Sequence, residues 1–381
     1  MRTLTINSKL GDYNVVISDT AIFEMVKYIK AHHADATTIF VIYDPYMKNA
    51  EQLIKYNQFG DSELVFLPLP KKRNYQHSAE EAKTWKTATT LIDNIFAYGA
   101  KENSLIIGLG GGVTIDMAGF ISSLIRKGIN CIYCPTTLAC SVDGCIGEET
   151  AINYKVYKNA IGTFKNPNAV FIDLKCLKSL PIWAIQDGLC DCLKHALICD
   201  EGLLYFIKEN SEKIYAKDPQ VLEELIYRNL VIKKAFLADS LYDKKIALNL
   251  GKTVFDALER KHRFGHSISL PLGIIVACRI SHRMNLLSIE NLTEIENLMS
   301  THFSLEVETG HTIHKDVVLL MQTIMHNDGQ RSDVTYAVQI IEGKKKPTEI
   351  KMVLPVGLGK VEIHAVKPKL LGDVLHTIFC E

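Results

Sequence analysis

The sequence carries no excess charge of either sign, since its 43 lysines and arginines are balanced by 43 aspartates and glutamates. A chain without a net field gives no reason to expect nucleic acid or an acidic membrane surface as its partner. It also lacks any run approaching the roughly 20 apolar residues that a membrane-spanning helix needs. Its first residues, MRTLTINSKLGDYNVVIS, alternate apolar and polar side chains as strands do and lack the apolar core of a signal peptide. We therefore expect a cytoplasmic protein with no membrane or nucleic-acid partner.

The order of the apolar runs indicates an α/β fold with two domains. In the first half, amphipathic stretches separate five short apolar runs, which are TIFVIYD, SELVFLPLP, NSLIIGLGGG, NCIYCPTT and AVFIDL. Short apolar strands separated by helices are typical of a parallel, doubly wound sheet. From about Trp183, long helical patterns dominate and strand-like runs are scarce. We predict a Rossmann-like domain over residues 1–182, a mostly α-helical domain over 183–381, and a cleft between them as the natural site.

Several features are interpreted as structural. Cys131 and Cys134 form a C-x-x-C pair, but the surrounding run is typical of a buried strand, where cysteine packs as a small hydrophobe. Cys190 and Cys192 point away from each other if their segment is a helix, so we do not expect them to share a metal. The run Lys344–Lys346 lies between a glycine and a proline and is predicted to be a solvated turn.

The segment GLGGGVTIDMAGF, Gly108 to Phe120, is predicted to bind a dinucleotide. It follows the apolar run LII and opens a helical pattern, so its glycines lie at a strand-to-helix turn. Gly110–Gly112 remove every Cβ where a backbone would approach a pyrophosphate, and the helix N-terminus offers free N–H groups. The spacing is not G-x-G-x-x-G, so a tight turn without a ligand is the alternative. Asp116, in the first turn of that helix, could accept from a cofactor group or simply favour the helix dipole.

Several motifs, in the correct order, resemble the dehydroquinate synthase family of sugar-phosphate cyclases. They are GGGVTIDMAGF, GINCIYCPTTLACSVDG and KNAIGTFKNPNAVFIDLKCLKSLP, and the spacing holds from about Glu80 to Leu197. The segment HRMNLL and the tail around His326 to Arg331 are closer to the 2-deoxy-scyllo-inosose synthase branch. Dispersed motifs are far more specific than one glycine loop. The resemblance implies a homodimer with an NAD-binding α/β domain, a helical substrate- and metal-binding domain, tightly bound NAD and usually a zinc or cobalt ion.

The resemblance also implies a reaction and a set of site residues. Members of that family transiently oxidise a substrate hydroxyl, eliminate phosphate, reduce the ketone again and close a carbocycle by aldol addition, so that bound NAD is recycled. The residues implied to contact the cofactor are Asp44, Glu80, Lys83, Gly111, Gly112, Val113, Asp116, Thr136 and Thr137. The residues implied to contact or transform the substrate are Asp143, Lys158, Asn159, Lys194 and Asn249.

The metal-binding half of the family pattern is altered. The family's ligands are a glutamate and two histidines, and this chain has Asp191, Lys252 and His266 at those positions. Asp191 keeps a carboxylate and shares a helix face with Lys194. Lys252, however, carries no lone pair when protonated and repels a dication, and Asp256 replaces a further histidine. Two ligands make a poor zinc site, since catalytic zinc normally has three from the protein.

Two explanations of this change stay open. Lys252 could supply the missing positive charge by pairing with Asp191 and polarising a substrate oxygen. Alternatively, His195 or His262 could restore a metal site, because each lies four residues from a kept ligand, although both patterns are more typical of packed or solvated histidines. Our hypothesis at this point is that no metal binds. One tightly held zinc or cobalt ion per chain would overturn it.

The phosphate-binding side of the pattern is altered too. Glu149 stands where the family has a lysine that contacts the leaving phosphate, and Lys127 and Lys245 stand in place of arginines. Arg331 is the candidate substitute for a lost lysine near the end of the pattern. The carboxylates of Glu149 and Asp256 would repel a phosphate dianion in a partly desolvated cleft. We therefore expect a substrate that is unphosphorylated or bound differently.

Four functions follow, of which we rank first an NAD-dependent enzyme descended from the cyclases and acting on a polyhydroxylated or cyclitol-like substrate. Its candidate acid–base groups are Lys158, Lys194 and Lys252. The second is an ordinary cyclase, and the third is a catalytically silent NAD-binding homologue that serves as a partner subunit. The fourth is an iron-type alcohol or glycerol dehydrogenase, whose first metal ligand is an aspartate like Asp191. The segment Ser141–Phe164 resembles a cyclase more closely than such a dehydrogenase.

Overall fold

The structure is a computed structural model and describes residues 1–47, 54, 59–71, 80–155, 157–238, 246–262, 265–303, 337–341 and 344–379. The chain forms two compact units. Unit 1 comprises Met1–Gly188 and Asn210–Ala238, and unit 2 comprises Leu189–Glu209 and Asp239–Glu381.

Unit 1 is organised around one large sheet. The strands of unit 1 are β1 (Arg2–Ile6), β2 (Tyr13–Ser18), β3 (Thr38–Tyr43), β4 (Glu63–Pro68), β5 (Leu105–Gly110), β6 (Asn130–Pro135), β7 (Glu149–Tyr154), β8 (Tyr157–Phe164) and β9 (Ala169–Asp173). Seven of them form a sheet in the order β1-β2-β9-β6-β5-β3-β4, in which only the β1–β2 pair is antiparallel. β7 and β8 form a separate antiparallel hairpin. The predicted parallel, α/β character of this part of the chain is confirmed.

The described helices are numbered in chain order through both units. They are α1 (Ala21–His32), α2 (Trp85–Ala97), α3 (Gly112–Leu124), α4 (Leu174–Lys178), α5 (Ile182–Cys199), α6 (Glu201–Glu209), α7 (Ser211–Tyr215), α8 (Pro219–Ala238), α9 (Lys252–His262), α10 (His266–Arg283), α11 (Ile289–His302) and α12 (Pro368–Phe379). Short helical turns lie at Glu80–Ala82, Ile125–Lys127 and Cys140–Gly144. Across the described residues, we find no helix with the length and apolarity needed to cross a membrane.

The strands that position the unit 1 site are apolar along their whole length. All residues of β5 are buried, and so are the residues of β3 up to its last. Continuous burial is expected of central strands that are covered by helices on both faces. β3 and β5 pair in register up to Tyr43 and Leu109, so the chain leaves both strands at one edge of the sheet. Asp44 and the glycine-rich loop therefore emerge side by side.

Unit 2 is mostly helical and is centred on α10, which is buried from Ser269 to Cys278. This helix packs against α9, α11 and α12, in agreement with the predicted helical second half. Unit 2 also contains an antiparallel sheet that the sequence reasoning missed, formed by β10 (Ala337–Ile341), β11 (Lys344–Gly357) and β12 (Lys360–Val366). Lys344–Lys346 pair with β10, so the prediction of a solvated turn at these lysines is wrong.

Candidate active site

The glycine-rich loop connects β5 to α3, as its position in the sequence predicted. A Cβ on Gly110 would lie 2.4 Å from Oγ1 of Thr114, and a Cβ on Gly111 would lie 3.2 Å from Cγ2 of Thr137. A Cβ on Gly112, in contrast, would meet nothing within 4 Å. Gly111 is the N-cap of α3 and has no side chain to cap it, and the first N–H groups of a helix have no intrahelical partner. The loop is thus tight on its inner side and open in front of Gly112.

A pocket of about 190 Å³ opens in front of this loop. Of the residues implied to bind the cofactor, those that line it are Asp44, Gly111, Gly112, Val113 and Thr137. The wall also includes residues that the sequence reasoning did not single out, among them Tyr46, Pro70, Ala139, Trp183 and Asp187. The pocket therefore joins the end of β3, the glycine loop and the start of α5 into one concave surface.

Lys83, Asp116 and Asn159 form a hydrogen-bonded group in unit 1. The buried ammonium of Lys83 donates to a carboxylate oxygen of Asp116 and, at 2.6 Å, to Oδ1 of Asn159. Asn159 has a φ of 50°, in the left-handed region that asparagine adopts more readily than most residues. Desolvation raises the pKa of Asp116, and the Lys83 ammonium opposes that rise. Three residues that the resemblance implied are thus brought into direct contact.

Asn153 ties this group to Glu80, although the sequence reasoning did not identify it. Its amide nitrogen donates to Oε1 of Glu80 at 2.8 Å, and its amide oxygen accepts from the backbone N–H of Asn159 at 2.9 Å. Its own backbone N–H donates to the carbonyl of Lys83 at 2.9 Å. The missed signal was its place on β7, six residues before Asn159 in the TAINYKVYKN segment. One asparagine thus fixes the positions of three candidate cofactor or substrate residues.

Asp143 is paired with Lys233, a second residue that the sequence reasoning missed. The ammonium of Lys233 lies 2.6 Å from Oδ1 of Asp143 and also donates to the Asp143 carbonyl. The Lys233 side chain is only 13% exposed, so the pair is largely removed from water. Lys233 lies on α8, 90 residues further along the chain, and no local pattern connects it to Asp143. The pair places a fixed positive charge beside the short turn at Cys140–Gly144.

The remaining unit 1 candidates differ in burial. Thr136 is buried, and its N–H donates to the carbonyl of Gly110 at 2.9 Å, so it supports the glycine loop from below. Lys158 is half-buried on β8. Glu149 is exposed at the start of β7, and Lys127 is exposed in the turn after α3. Because Glu149 is exposed, solvent screens its carboxylate. Its repulsion of a phosphate dianion is therefore weaker than its charge alone suggested.

In unit 2, Asp191 is the centre of a second hydrogen-bonded group. One of its carboxylate oxygens accepts from Lys194 at 2.9 Å, and the other lies 3.0 Å from Nε2 of His266. Asp191 and Lys194 are both buried and share one face of α5, as the i, i+3 spacing predicted. Burial alone would lower the pKa of His266, but the adjacent Cys190 and Asp191 outweigh it and hold that pKa well above its usual value. Asp191 therefore lies between the ammonium of Lys194 and the imidazole of His266, whose protonated form is favoured.

Cys190 brings a thiol to the same place. Its Sγ, a carboxylate oxygen of Asp191 and a ring nitrogen of His266 all lie within 4.8 Å of one another. Cys190 is fully buried, and its Sγ also lies 4.0 Å from the His266 carbonyl, 76 residues further along the chain. The sequence reasoning considered Cys190 only together with Cys192. The signal that could have identified it is its position directly before the kept carboxylate in GLCDCLK.

Asn249 lies just before α9, and the substituted positions Lys252 and Asp256 lie on that helix; all three side chains are half-buried. The Asn249 carbonyl accepts from the N–H of Lys252 at 2.9 Å. Between them, Gly251 has a φ of 75° and lies against α10, where a Cβ on Gly273 would come within 2.2 Å of the Gly251 carbonyl oxygen. This close approach fixes the start of α9 on the helix that begins with the clustered histidine.

Some candidates lie away from these groups or outside the described residues. His195 is fully buried on α5, and among the described residues it is not a member of the three-donor cluster around Asp191. The side chain of His262, together with Lys245 and Arg331, lies outside the described residues.

Comparisons with known proteins cover both units. Residues 75–187 match the family model of the 3-dehydroquinate synthase N-terminal domain, and residues 188–329 match that of the C-terminal domain. The chain is similar to the 3-dehydroquinate synthase of Clostridium tetani, with 32% identity over 74% of this chain and 74% of that protein.

Two solved structures share the fold of the whole chain. One is 2-deoxy-scyllo-inosose synthase complexed with carbaglucose-6-phosphate, NAD⁺ and Co²⁺, with a TM-score of 0.81, 21% identity and 99% of each chain covered. The other is 2-epi-5-epi-valiolone synthase from Streptomyces hygroscopicus with NAD⁺ and Zn²⁺ bound, with a TM-score of 0.79, 19% identity and 98% of each chain covered. The fold is therefore that of the sugar-phosphate cyclases. The chain belongs to the 3-dehydroquinate synthase family of these proteins, which confirms the resemblance inferred from its motifs.

Proposed function

We propose that this chain is an enzyme of the cyclase type that uses bound NAD for the transient oxidation of a hydroxyl on a polyhydroxylated, carbohydrate-like substrate. The observation that carries the proposal is the pocket in unit 1, which has the glycine loop, the start of α3 and Asp44 on its wall. The space in front of Gly112 fits a cofactor diphosphate, because a side chain there would fill it. When bound, NAD supplies a hydride acceptor that can return the hydride later in the same turnover. Structures of two family relatives hold NAD⁺, which supports this choice of cofactor.

The residues around the pocket have distinct proposed roles. The backbone N–H groups of Gly112 and Val113 donate to the diphosphate, assisted by the positive end of the α3 dipole. Asp44, at the carboxyl end of β3, accepts hydrogen bonds from ribose hydroxyls, as an acid in this position does in dinucleotide-binding folds. Thr136 and Thr137 support the loop. The Lys83–Asp116–Asn159 group, fixed by Asn153 and Glu80, orients polar groups of the cofactor and substrate.

The substrate is proposed to meet both basic and acidic side chains. Lys194 holds a proton on an ammonium that Asp191 fixes in position, so it can donate to a substrate oxygen or stabilise charge that develops there. The other side chains proposed to act on the substrate are Asp143, Glu149, Lys158, Asn159, Asn249, Lys252 and Asp256. Lys233, paired with Asp143, adds a cation that the sequence did not suggest. Because Glu149 is exposed, a sugar phosphate and an unphosphorylated cyclitol both remain within the proposed substrate class.

Turnover experiments test the proposal directly. The purified protein is incubated with polyhydroxylated sugar phosphates and cyclitols, while released phosphate, ring-closed product and absorbance at about 340 nm are followed. Recycling of bound NAD predicts product without net accumulation of NADH. A steady rise in NADH with added NAD⁺ and a simple polyol would instead indicate a dehydrogenase. Asp191 is the feature that favours this alternative, because the first metal ligand of the iron-type dehydrogenases is also an aspartate. Bound NAD without turnover of any substrate would indicate a silent partner subunit. Native mass spectrometry of the same protein tests the proposed homodimer.

A further inference from the structure

The donor set around Asp191 is larger than the sequence motifs suggested. One sulfur, one oxygen and one nitrogen donor, from Cys190, Asp191 and His266, lie within 4.8 Å of one another. In a tetrahedral zinc site with bonds of about 2.0–2.3 Å, neighbouring donors lie roughly 3.3–3.6 Å apart. Oδ2 of Asp191 and Nε2 of His266 already lie 3.0 Å apart. The three donors are therefore close to the spacing that one ion requires.

The chemistry of the donors suits a transition metal. Thiolate, imidazole and carboxylate are all ligands of zinc, and thiolate sulfur is among the softest that a protein offers. Replacement of a family histidine by Lys252 leaves Asp191 and His266 as two ligands, which is one fewer than a catalytic zinc site normally has. Cys190 restores that number. Its thiol lies directly before the carboxylate of Asp191 in GLCDCLK.

A divalent ion at this position needs a second anionic ligand beside Asp191. The ammonium of Lys194 lies 2.9 Å from Oδ1 of Asp191, so the carboxylate is already shared with one cation. A divalent ion beside that ammonium needs more than one negative ligand, because like charges repel strongly in a desolvated site. A thiolate supplies the second negative charge.

We propose that Cys190 supplies the third ligand of a zinc or cobalt centre in unit 2, together with Asp191 and His266. Binding forms bonds from the metal to the sulfur, oxygen and nitrogen donors, and it releases to solvent both the thiol proton of Cys190 and the proton on Nε2 of His266. This proposal reverses the expectation that no metal binds, which counted only two ligands. It does not depend on which reaction the protein catalyses.

Cobalt substitution tests the proposal on the full-length protein. Protein freed of metal with a chelator and kept without thiol reductants is titrated with CoCl₂, and bound cobalt is measured by elemental analysis. We expect one cobalt ion per chain and a near-ultraviolet thiolate-to-cobalt charge-transfer band. Cys190→Ala should abolish the band and weaken cobalt binding by at least about 100-fold, since even changes outside the ligand set cost about 10–100-fold. Cys192→Ala, at a buried position on the same helix, should keep both and is the matched control.

X-ray absorption of the zinc-loaded wild-type protein needs no variant and should show one sulfur neighbour at about 2.3 Å. The proposal is overturned if the wild-type protein binds no cobalt or zinc at equimolar concentration. It is also overturned if metal binds without a sulfur neighbour and Cys190→Ala binds it equally well, because Cys190 then only packs in the core. NAD content measured on the same samples separates the two proposals: metal without NAD contradicts the proposed function alone, and NAD without metal contradicts this inference alone.

Discussion

The glycine loop of unit 1 and the Asp191 cluster of unit 2 place different demands on the sequence. In the loop, the demand is on the backbone, since a Cβ on Gly110 would overlap Thr114. In the cluster, the demand is for a number of donors and a balance of charge, which different side chains can meet. The glycines implied by the resemblance are accordingly present in the loop, whereas Lys252 and Asp256 stand where the resemblance implies histidines. A site built by backbone geometry is recognised from its spacing, but a site built by donors can be assembled from new positions.

The largest expected effect is that of Gly110→Ala. The added methyl group would lie 2.4 Å from Oγ1 and 2.6 Å from Cβ of Thr114, so the strand-to-helix turn has to shift. We expect NAD affinity to fall by at least about 100-fold and stability to fall by about 1–3 kcal/mol, the usual cost of overpacking. Calorimetric titration with NAD and urea unfolding measure the two effects.

Gly112→Ala sharpens the same comparison, because nothing lies within 4 Å of its added methyl group. Stability should stay within about 0.5 kcal/mol of wild type, as for an exposed substitution, while NAD affinity falls by roughly 10-fold because the methyl group enters the space in front of the loop. If Gly110→Ala and Gly112→Ala both bind NAD like the wild-type protein, the loop does not hold the cofactor.

Removal of the Lys83 ammonium should have the next largest effect. Lys83→Met leaves Asp116 without its cation, and breaking a buried pair usually costs about 3–5 kcal/mol. Because the Asp116 side chain is 30% exposed, solvent screens part of this loss, and we expect about 2 kcal/mol. Urea unfolding of Lys83→Met, Asp116→Asn and the double variant forms a complete cycle. The double variant should be more stable than Lys83→Met alone, and a strictly additive cycle would show that the two side chains do not interact.

A smaller effect is expected from Asn153→Ala, which removes the hydrogen bonds to Glu80 and to the Asn159 backbone. A hydrogen bond contributes about 1 kcal/mol net, so stability should fall by about 1–2 kcal/mol and NAD affinity by a few fold. Asn14→Ala is the control, because Asn14 makes a single exposed side-chain contact, with Thr5, and its loss should change neither quantity measurably. Equal effects of the two variants would contradict a positioning role for Asn153.

The smallest effect concerns pH. The folded-state pKa of Asp116 is raised from 3.8 by desolvation, against the opposing Lys83 charge. Between the pKa of Asp116 in the unfolded chain and its raised pKa in the folded protein, the folded protein binds more protons than the unfolded chain. The contribution of Asp116 to stability therefore falls as pH rises through that window. Urea unfolding from about pH 4 to pH 8 should therefore show wild type losing stability relative to Asp116→Asn as pH rises, and then a constant difference. A stability difference between the two proteins that does not change with pH, or that shifts in favour of wild type as pH rises, would contradict the raised pKa of Asp116.

Local patterns predicted most of unit 1. The apolar runs that became β3, β5, β6 and β9 are continuous because those strands are covered on both faces, and the glycine loop is a local signal as well. β11 escaped prediction because its sequence, KKKPTEIKMVLPVG, begins with lysines and contains proline residues that usually mark turns. Its strand character comes from pairing with β10 and β12, which local composition does not report.

The candidate site likewise combines residues that the motifs implied with contacts that only the packing of the fold explains. Lys83, Asp116 and Asn159 were implied by motif positions, but their direct contact depends on the hairpin β7–β8 lying against α3. The pairs Asp143–Lys233 and Cys190–His266 join residues 90 and 76 positions apart, and such contacts follow from helix packing rather than from spacing. For the second pair, close approach of α9 and α10 at Gly251 and Gly273 helps to fix the local packing.

We expect the glycine loop to hold NAD whatever occupies the Asp191 cluster. Native mass spectrometry of the purified protein, before and after exposure to a chelator, tests it most directly because it reports NAD, metal and subunit number together. We expect one NAD per chain in both samples, with any metal present only in the first. Protein that carries no NAD when purified and takes up none when NAD⁺ is added in large excess would contradict it.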